Sequence, residues 1–161
     1  MEQTRISYAG FWKRFVAYII DEIILSAAGF VVVLSIGALF GLSFLSAFSG
    51  DSESTVPLIV AAASAIIMAV LAMMVVGWLY YALMEASVNQ ATLGKIALGI
   101  KVTDLNGNRI SFGKASGRFF GKIVSGMIFY IGFIMAGFTE KKQALHDIMA
   151  SCLVVNTQIE R

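Results

Sequence analysis

Arg14 and Asp21 stand seven residues apart where the chain enters its first long apolar run. Read as one helix from Phe11 to Ile24, that spacing is two turns, so both share a face with Ala17 and Tyr18. Trp12, Phe15, Val16, Ile19, Ile20 and Ile23 form the other face. About 10 Å of axis separates the two charges. That is too far for a direct ion pair, but both can address one polar cavity. Glu22 sits at the edge of the same face. Glu85 follows the second apolar run directly, and His146-Asp147 lies within Gln143–Ala150 near the end of the chain. Carboxylates and one imidazole beside a membrane cavity suit cation or proton handling. His146-Asp147 also reads as a plain structural hydrogen-bonding pair.

Other chemistries lack their residues. There is no G-x-S-x-G, H-E-x-x-H, phosphate-binding P-loop or C-x-x-C. Gly113-Lys114-Ala115-Ser116-Gly117 misplaces its serine for a nucleophile elbow, and Cys152 has no base. One cysteine and one histidine exclude an intramolecular disulfide and make a histidine/cysteine metal cage untenable. No enzyme activity, cofactor or metal is expected. Of 161 residues, 58% are hydrophobic and 14% charged, against about 45–50% and about 25% in soluble domains. Disorder and nucleic-acid modules are set aside on that balance, so no nucleic-acid partner is expected. The net charge of +2 says little; the placement of charges says more.

The elements that must position these groups are membrane helices. Ile23–Phe48 and Val56–Met84 contain no Asp, Glu, Lys, Arg or His. Each exceeds the roughly 20 residues that cross about 30 Å of hydrocarbon, and neither alternates like a barrel strand. Two buried core helices are the bland alternative, but so short a chain has no mass to bury them. The expected fold is an all-α membrane protein, a small helical transmembrane bundle in one domain over 8–155, with spans at about 14–48 and 56–84. A third run, Ile123–Thr139, is about 17 residues long, at the lower limit for a span, and is broken by Gly126, Gly132 and Gly137. It reads either as a third span or as a re-entrant hairpin. A cleaved signal peptide does not fit, because the first apolar stretch is too long and follows Asp21 and Glu22.

Basic residues set the orientation. Arg5, Lys13 and Arg14 precede the first span, and six Lys and Arg residues occupy Glu85–Lys122. Ser49–Thr55 holds Asp51 and Glu53 and no base. The expected location is the cell (inner) membrane, multi-pass, with a cytoplasmic amino terminus and the 49–55 loop outside. Lys141 and Lys142 would place the tail inside too, which favours the re-entrant option.

Leu98–Asp104 and Arg109–Phe112 flank Leu105-Asn106-Gly107-Asn108, an Asn-Gly signal that predicts a short cytoplasmic β-hairpin. Cys152–Val155 is a further β-prone piece, able to pair with it if the tail is cytoplasmic. From Phe112, Lys114, Arg118 and Lys122 fall at i, i+4 and i+8, opposite Phe112, Ala115, Phe119, Phe120 and Ile123. That predicts an amphipathic interfacial helix with the three cations at the membrane surface. Gly113, Gly117 and Gly121, Gly37 and Gly41, and Ala61, Ala65 and Ala69 form small-residue stripes that suit ordinary packing or a homo-oligomer.

Asp21 has two possible depths. With Phe11 and Trp12 at the aromatic belt, it lies roughly 13 Å deep and must face the protein interior. If the span begins near Ile23, it is a flanking charge.

Three segments together resemble the RDD family of small bacterial membrane proteins, named for one arginine and two aspartates. They are Arg14-x-x-Ala17-x-x-x-Asp21, Ala91-Thr92-Leu93-Gly94-Lys95-x-x-x-Gly99-x-x-Val102 and Leu145-His146-Asp147. The match runs from about Tyr8 to Val155, and Ser151-Cys152 departs mildly from it. By motif, the arginine is Arg14 and the aspartates are Asp21 and Asp147. The resemblance implies an interior Asp21 and a meeting of Asp147 with the Arg14/Asp21 region. It also implies transport, most concretely monovalent cation (Na+, Li+, K+)/proton antiport, with Glu22, Glu85 and His146 auxiliary. The expected partners are the lipid bilayer, monovalent cations or protons, and a second copy of the chain. The alternative is a non-transporting scaffold whose charged cluster is structural.

Overall fold

A computed structural model describes residues 7–48, 56–128 and 131–157. Arg5 and the loop 49–55 with Asp51 and Glu53 lie outside the described residues. Two long helices, α1 (Phe11–Phe48) and α2 (Val56–Glu85), are followed by shorter elements. The chain divides into two compact units, Ile23–Gly77 on the one hand and Met1–Glu22 with Trp78–Arg161 on the other.

Among the described residues, the Ile23–Gly77 unit is built from parts of α1 and α2. It buries little of its own apolar surface: Phe30, Val31, Ile59, Ile66 and Val70 are all exposed. In water such surface would drive aggregation; against hydrocarbon it is already in its preferred solvent. Stretches of 28 and 24 residues, Phe11–Ala38 and Ala62–Glu85, are long and apolar enough to cross a membrane. Gly29 has a specific role here, because a Cβ on it would come within 2.2 Å of Met73 Cε.

The other unit carries the polar architecture. A one-turn helix α3 (Leu93–Ala97) leads through Gly99, at φ +62°, into β1 (Ile100–Asp104). β1 pairs antiparallel with β2 (Cys152–Asn156), Val102 opposite Val154. Ala9 N–H donates to Val154 O at 2.9 Å, and Tyr8 bridges Val155. The first described residues, the loop after α2 and the tail therefore share one hydrogen-bonded patch. Its core contains Ala9, Ala17, Ala82, Ile100, Val102 and Val154.

The small sheet exists, but the local hairpin does not. The Asn-Gly turn forms: Asp104 accepts the Asn106 and Asn108 N–H groups at 2.9 and 2.8 Å, and Gly107 takes φ +85°. The second arm, Arg109–Phe112, pairs with no strand among the described residues. Ser111 instead caps α4 (Phe112–Met127), accepting the Lys114 N–H at 3.3 Å. A helix start signal wins there. The strand partner comes from β2, four of whose five residues are buried.

α4 also corrects the surface reading of its cations. Lys114 is exposed, but Arg118 is fully buried and Lys122 largely so. Phe112, Phe120, Ile123, Val124 and Met127 face outward. The helix is amphipathic with its polar side inward. The physical reason is that acidic partners lie inside, while the outward apolar face suits lipid.

After α4 the chain turns sharply. α5 (Ile131–Ile134) and a 3-10 turn (Met135–Gly137) are bent 117° from it. A Cβ on Gly132 would sit 2.7 Å from Ser125 Cβ, so α5 lies tightly on α4. Helix α6 (Leu145–Met149) packs at Gly121, whose absent Cβ would be 3.0 Å from His146 Cβ. Gly121 is thus the stripe member used for internal contact. Gly37, Gly41 and Gly117 have nothing within 4 Å of a Cβ position.

Candidate functional site

Asp21 is buried on the polar face of α1. The loop after α2 is moulded around it. Thr92 Oγ1 donates to Oδ2 at 2.6 Å; Gly94 N–H and Tyr80 Oη donate to Oδ1 at 2.8 and 2.7 Å. Leu93 N–H in turn donates to Tyr80 Oη at 3.2 Å. The carboxylate thus takes a free N–H from the first turn of α3, where backbone donors lack intrahelical partners. Close approach is possible because Ala17 and Gly94 are small: a Cβ on Gly94 would lie 2.2 Å from the Ala17 carbonyl oxygen. The Ala17…Asp21 and Thr92-x-Gly94 parts of the sequence pattern are two halves of one joint.

The remaining charges form a chain of ion pairs. Arg14 pairs with Asp147 and anchors its Nε on Ala9 O at 3.0 Å. Arg118 spans the two carboxylates: Nη2 and Nε donate to Asp147 Oδ1 at 2.6 and 3.1 Å, and Nη1 to Glu85 Oε2 at 2.6 Å. Lys95 pairs with Glu85, and Lys122 approaches the same oxygen at 3.9 Å while its Nζ sits 3.6 Å over the Tyr81 ring. Asp147 also caps α6 by accepting the Ala144 N–H at 3.1 Å. Five segments, α1, α2, α3, α4 and α6, are held together in this way, with side chains almost wholly out of water.

Such burial would by itself push Asp147 up, but Arg118 and Arg14 outweigh it and hold the carboxyl well below the usual range. Burial lowers Lys95, with Glu85 opposing. Burial also lowers His146, to about 3, although neighbouring Asp147 favours its proton. His146 is therefore neutral at pH 7, and its Nε2 lies 3.5 Å from Asp147 Oδ1 with no ion pair between them.

A pH dependence follows. An unfolded histidine binds its proton below about 6.5, whereas the folded one resists down to about 3. Protons therefore favour the unfolded chain as pH falls, and stability is lost from pH 6.5 downward. The loss reaches about 2 kcal/mol by pH 5. Asp147, depressed in the fold, adds its own loss only below its ordinary value of 3.8. His146→Asn is expected to flatten the melting midpoint between pH 7.5 and 5 in detergent. An unchanged slope would show that another group titrates.

These residues enclose a cavity of about 170 Å³, lined by Arg14, Asp21, Lys95, Arg118, Lys122 and His146 together with aromatic and aliphatic walls. Arg14 meets Asp147 directly, Glu85 joins them through Arg118 and His146 lies beside Asp147, whereas Asp21 shares the cavity with Arg14 but is held by other donors. Asp21 is interior to the protein. Glu22 is half-buried beside the site and outside its ion-pair chain. Arg118 and Lys122 belong to the network instead of the surface. Lys95 and Thr92 also belong to the site, with the Thr92-Leu93-Gly94-Lys95 run as their sequence signal, and so does Tyr80, which carries none. Among the described residues no cluster of His, Cys, Asp and Glu is arranged to hold a metal ion.

Two long apolar helices with a small sheet and a buried charge network define a small helical membrane protein. The RDD family model matches residues 8–151, and the chain belongs to the RDD family. It is 44% identical over 149 residues, 91% of this chain and 96% of the relative, to "Uncharacterized protein YxaI" of Bacillus subtilis (strain 168). It is 29% identical over 162 residues, 96% of this chain and 85% of the relative, to "Uncharacterized membrane protein YteJ" of the same organism. No solved structure matches it.

Proposed function

We propose that this membrane protein is a transporter in which the cavity admits a monovalent cation or a proton, with Asp21 as the responding carboxylate. One observation carries the reading. Asp21 lines the cavity and is held by three neutral donors, whereas Asp147 and Glu85 are already paired with arginines and lysines. A cation or proton reaches Asp21 without expelling a basic side chain. One carboxylate neutralised by either ion, but not by both, is the basis of Na+ (Li+, K+)/proton antiport. Glu85, Asp147, Arg14 and His146 frame the site, and Glu22 supplies a second acid at its edge.

The shared hydrogen bonding of Ala9, β1 and β2 favours two crossings with both ends on one side. The sharp bend after α4 fits a re-entrant third segment. The basic residues favour the cytoplasm for that side. A chain this small needs a second copy to enclose a path, so the working form is a homo-oligomer in the cell membrane. A structural scaffold is the second reading, favoured by the saturation of Asp147 and Glu85 by internal cations.

The test is proton flux in liposomes, read by an internal pH dye after a sodium, lithium or potassium pulse. Wild-type protein is expected to exchange cation for proton. Asp21→Asn should lower the rate at least tenfold, with melting midpoint and oligomer mass unchanged. Equal rates in the two proteins would remove Asp21 from the mechanism. Absence of flux with every cation would leave the scaffold.

A further inference from the structure

The charge around the cavity does not balance. Four buried basic side chains, Arg14, Lys95, Arg118 and Lys122, meet three carboxylates, Asp21, Glu85 and Asp147. With His146 neutral and Glu22 set aside at the edge, the basic groups outnumber these carboxylates by one; burial lowers the Lys122 ammonium to about 7, so an anion beside it is what would hold it fully charged. Lys122 is the under-compensated member: its Glu85 oxygen is already engaged by Lys95, and its closer neighbour is a tyrosine ring. Lining side chains also carry buried polar atoms that have no partner among the described residues, namely Arg14 Nη2, Tyr81 Oη and His146 Nδ1. Unmatched buried donors cost about 1–3 kcal/mol each, so an acceptor belongs here.

The walls indicate what carries that acceptor. Phe11, Phe15, Tyr18, Phe133 and Val154 make the cavity mostly apolar. Phe15 and Tyr18 are 44% and 46% exposed on a helix apolar enough to span a membrane. The cavity is thus cationic within and borders a lipid-facing surface. About 170 Å³ exceeds the share of a single water, about 30 Å³, several-fold. Guanidinium and ammonium groups together suit a phosphate, and basic pockets beside membrane helices take acidic headgroups.

We propose that this cavity binds the phosphate of an acidic phospholipid, its first apolar carbons lying along the Phe11, Phe15 and Tyr18 wall. Lys122 supplies the uncompensated charge, and Arg14 Nη2 and Tyr81 Oη the open donors. Binding does not depend on the transport reading, and a phosphate in the cavity would offset the positive charge that otherwise opposes a cation at Asp21. Protein that holds the lipid without moving ions fails that reading alone, and flux without lipid binding fails this one alone.

The experiment titrates detergent-purified protein with phosphatidic acid, phosphatidylglycerol, phosphatidylcholine or inorganic phosphate. Melting midpoint and native mass are recorded for each. Both acidic lipids are expected to raise the midpoint and add one retained lipid per chain, whereas phosphatidylcholine does neither. Lys122→Gln should weaken acidic-lipid binding at least tenfold, and Tyr81→Phe, which removes only an unpartnered hydroxyl, about threefold. Lys114→Gln, on the exposed side of the same helix, should bind as wild type. An equal shift from inorganic phosphate would overturn the lipid assignment in favour of a free anion. Equal binding of phosphatidylcholine, or equal losses in Lys122→Gln and Lys114→Gln, would overturn the site.

Discussion

Replacing Arg118 with methionine is expected to lower the melting midpoint in detergent by on the order of 10 °C. Arg118 is 1% exposed and donates to both Glu85 and Asp147. Its removal leaves Asp147 with Arg14 and Glu85 with Lys95, each buried carboxylate short of one charged donor. Breaking a buried pair from one side costs about 3–5 kcal/mol, far more than the pair contributes over apolar groups of equal size. At about 2–4 °C per kcal/mol for a chain of this length, a shift near 10 °C results. Adding Glu85→Gln to Arg118→Met should recover part of the loss, because it removes one of the stranded charges. A single-variant shift under 2 °C would mean that Arg118 does not bridge the two carboxylates.

Gly94→Val is expected to undock the loop from α1 at a cost of at least about 3 kcal/mol, since overpacking against backbone has no rotamer escape. A Cβ there would meet the Ala17 carbonyl oxygen at 2.2 Å and Asp21 Cγ at 3.0 Å. Displacement would also break the Thr92 and Gly94 hydrogen bonds to Asp21 and draw Lys95 away from Glu85. The readouts are the melting midpoint and protease cleavage within 86–99, both compared with Gly117→Ala. A Cβ on Gly117 meets nothing within 4 Å, and alanine there should be neutral or favourable by up to about 1 kcal/mol. Protection of 86–99 equal in both variants would show that Gly94 is not a contact point.

The charge-free runs were legible from residue order alone. Crossing hydrocarbon requires about 20 apolar residues in succession, a local requirement, and α1 and α2 follow it. The meeting of Arg14 with Asp147 was reachable only through the family pattern, because 133 residues separate them. The hairpin after Asp104 illustrates a local signal that held for the turn and failed for the pairing. Asn106-Gly107 does fold the chain, yet whether the returning segment becomes a strand depended on Ser111 capping a helix and on β2 arriving from the tail.

Arg118 and Lys122 mark the limit most clearly. A basic stripe on a helix carries the same periodicity whether it faces headgroups or buried acids, so periodicity identifies the face and not its surroundings. Residue order determined a membrane protein with two long apolar helices, and a candidate set of acids at their ends. Only the tertiary structure decided that α4 turns its cations inward, that Asp147 and Glu85 are neutralised by them, and that Asp21 is held by neutral donors instead. The reason is that partner choice for a charge depends on distances between segments remote in sequence, and desolvation makes that choice decisive.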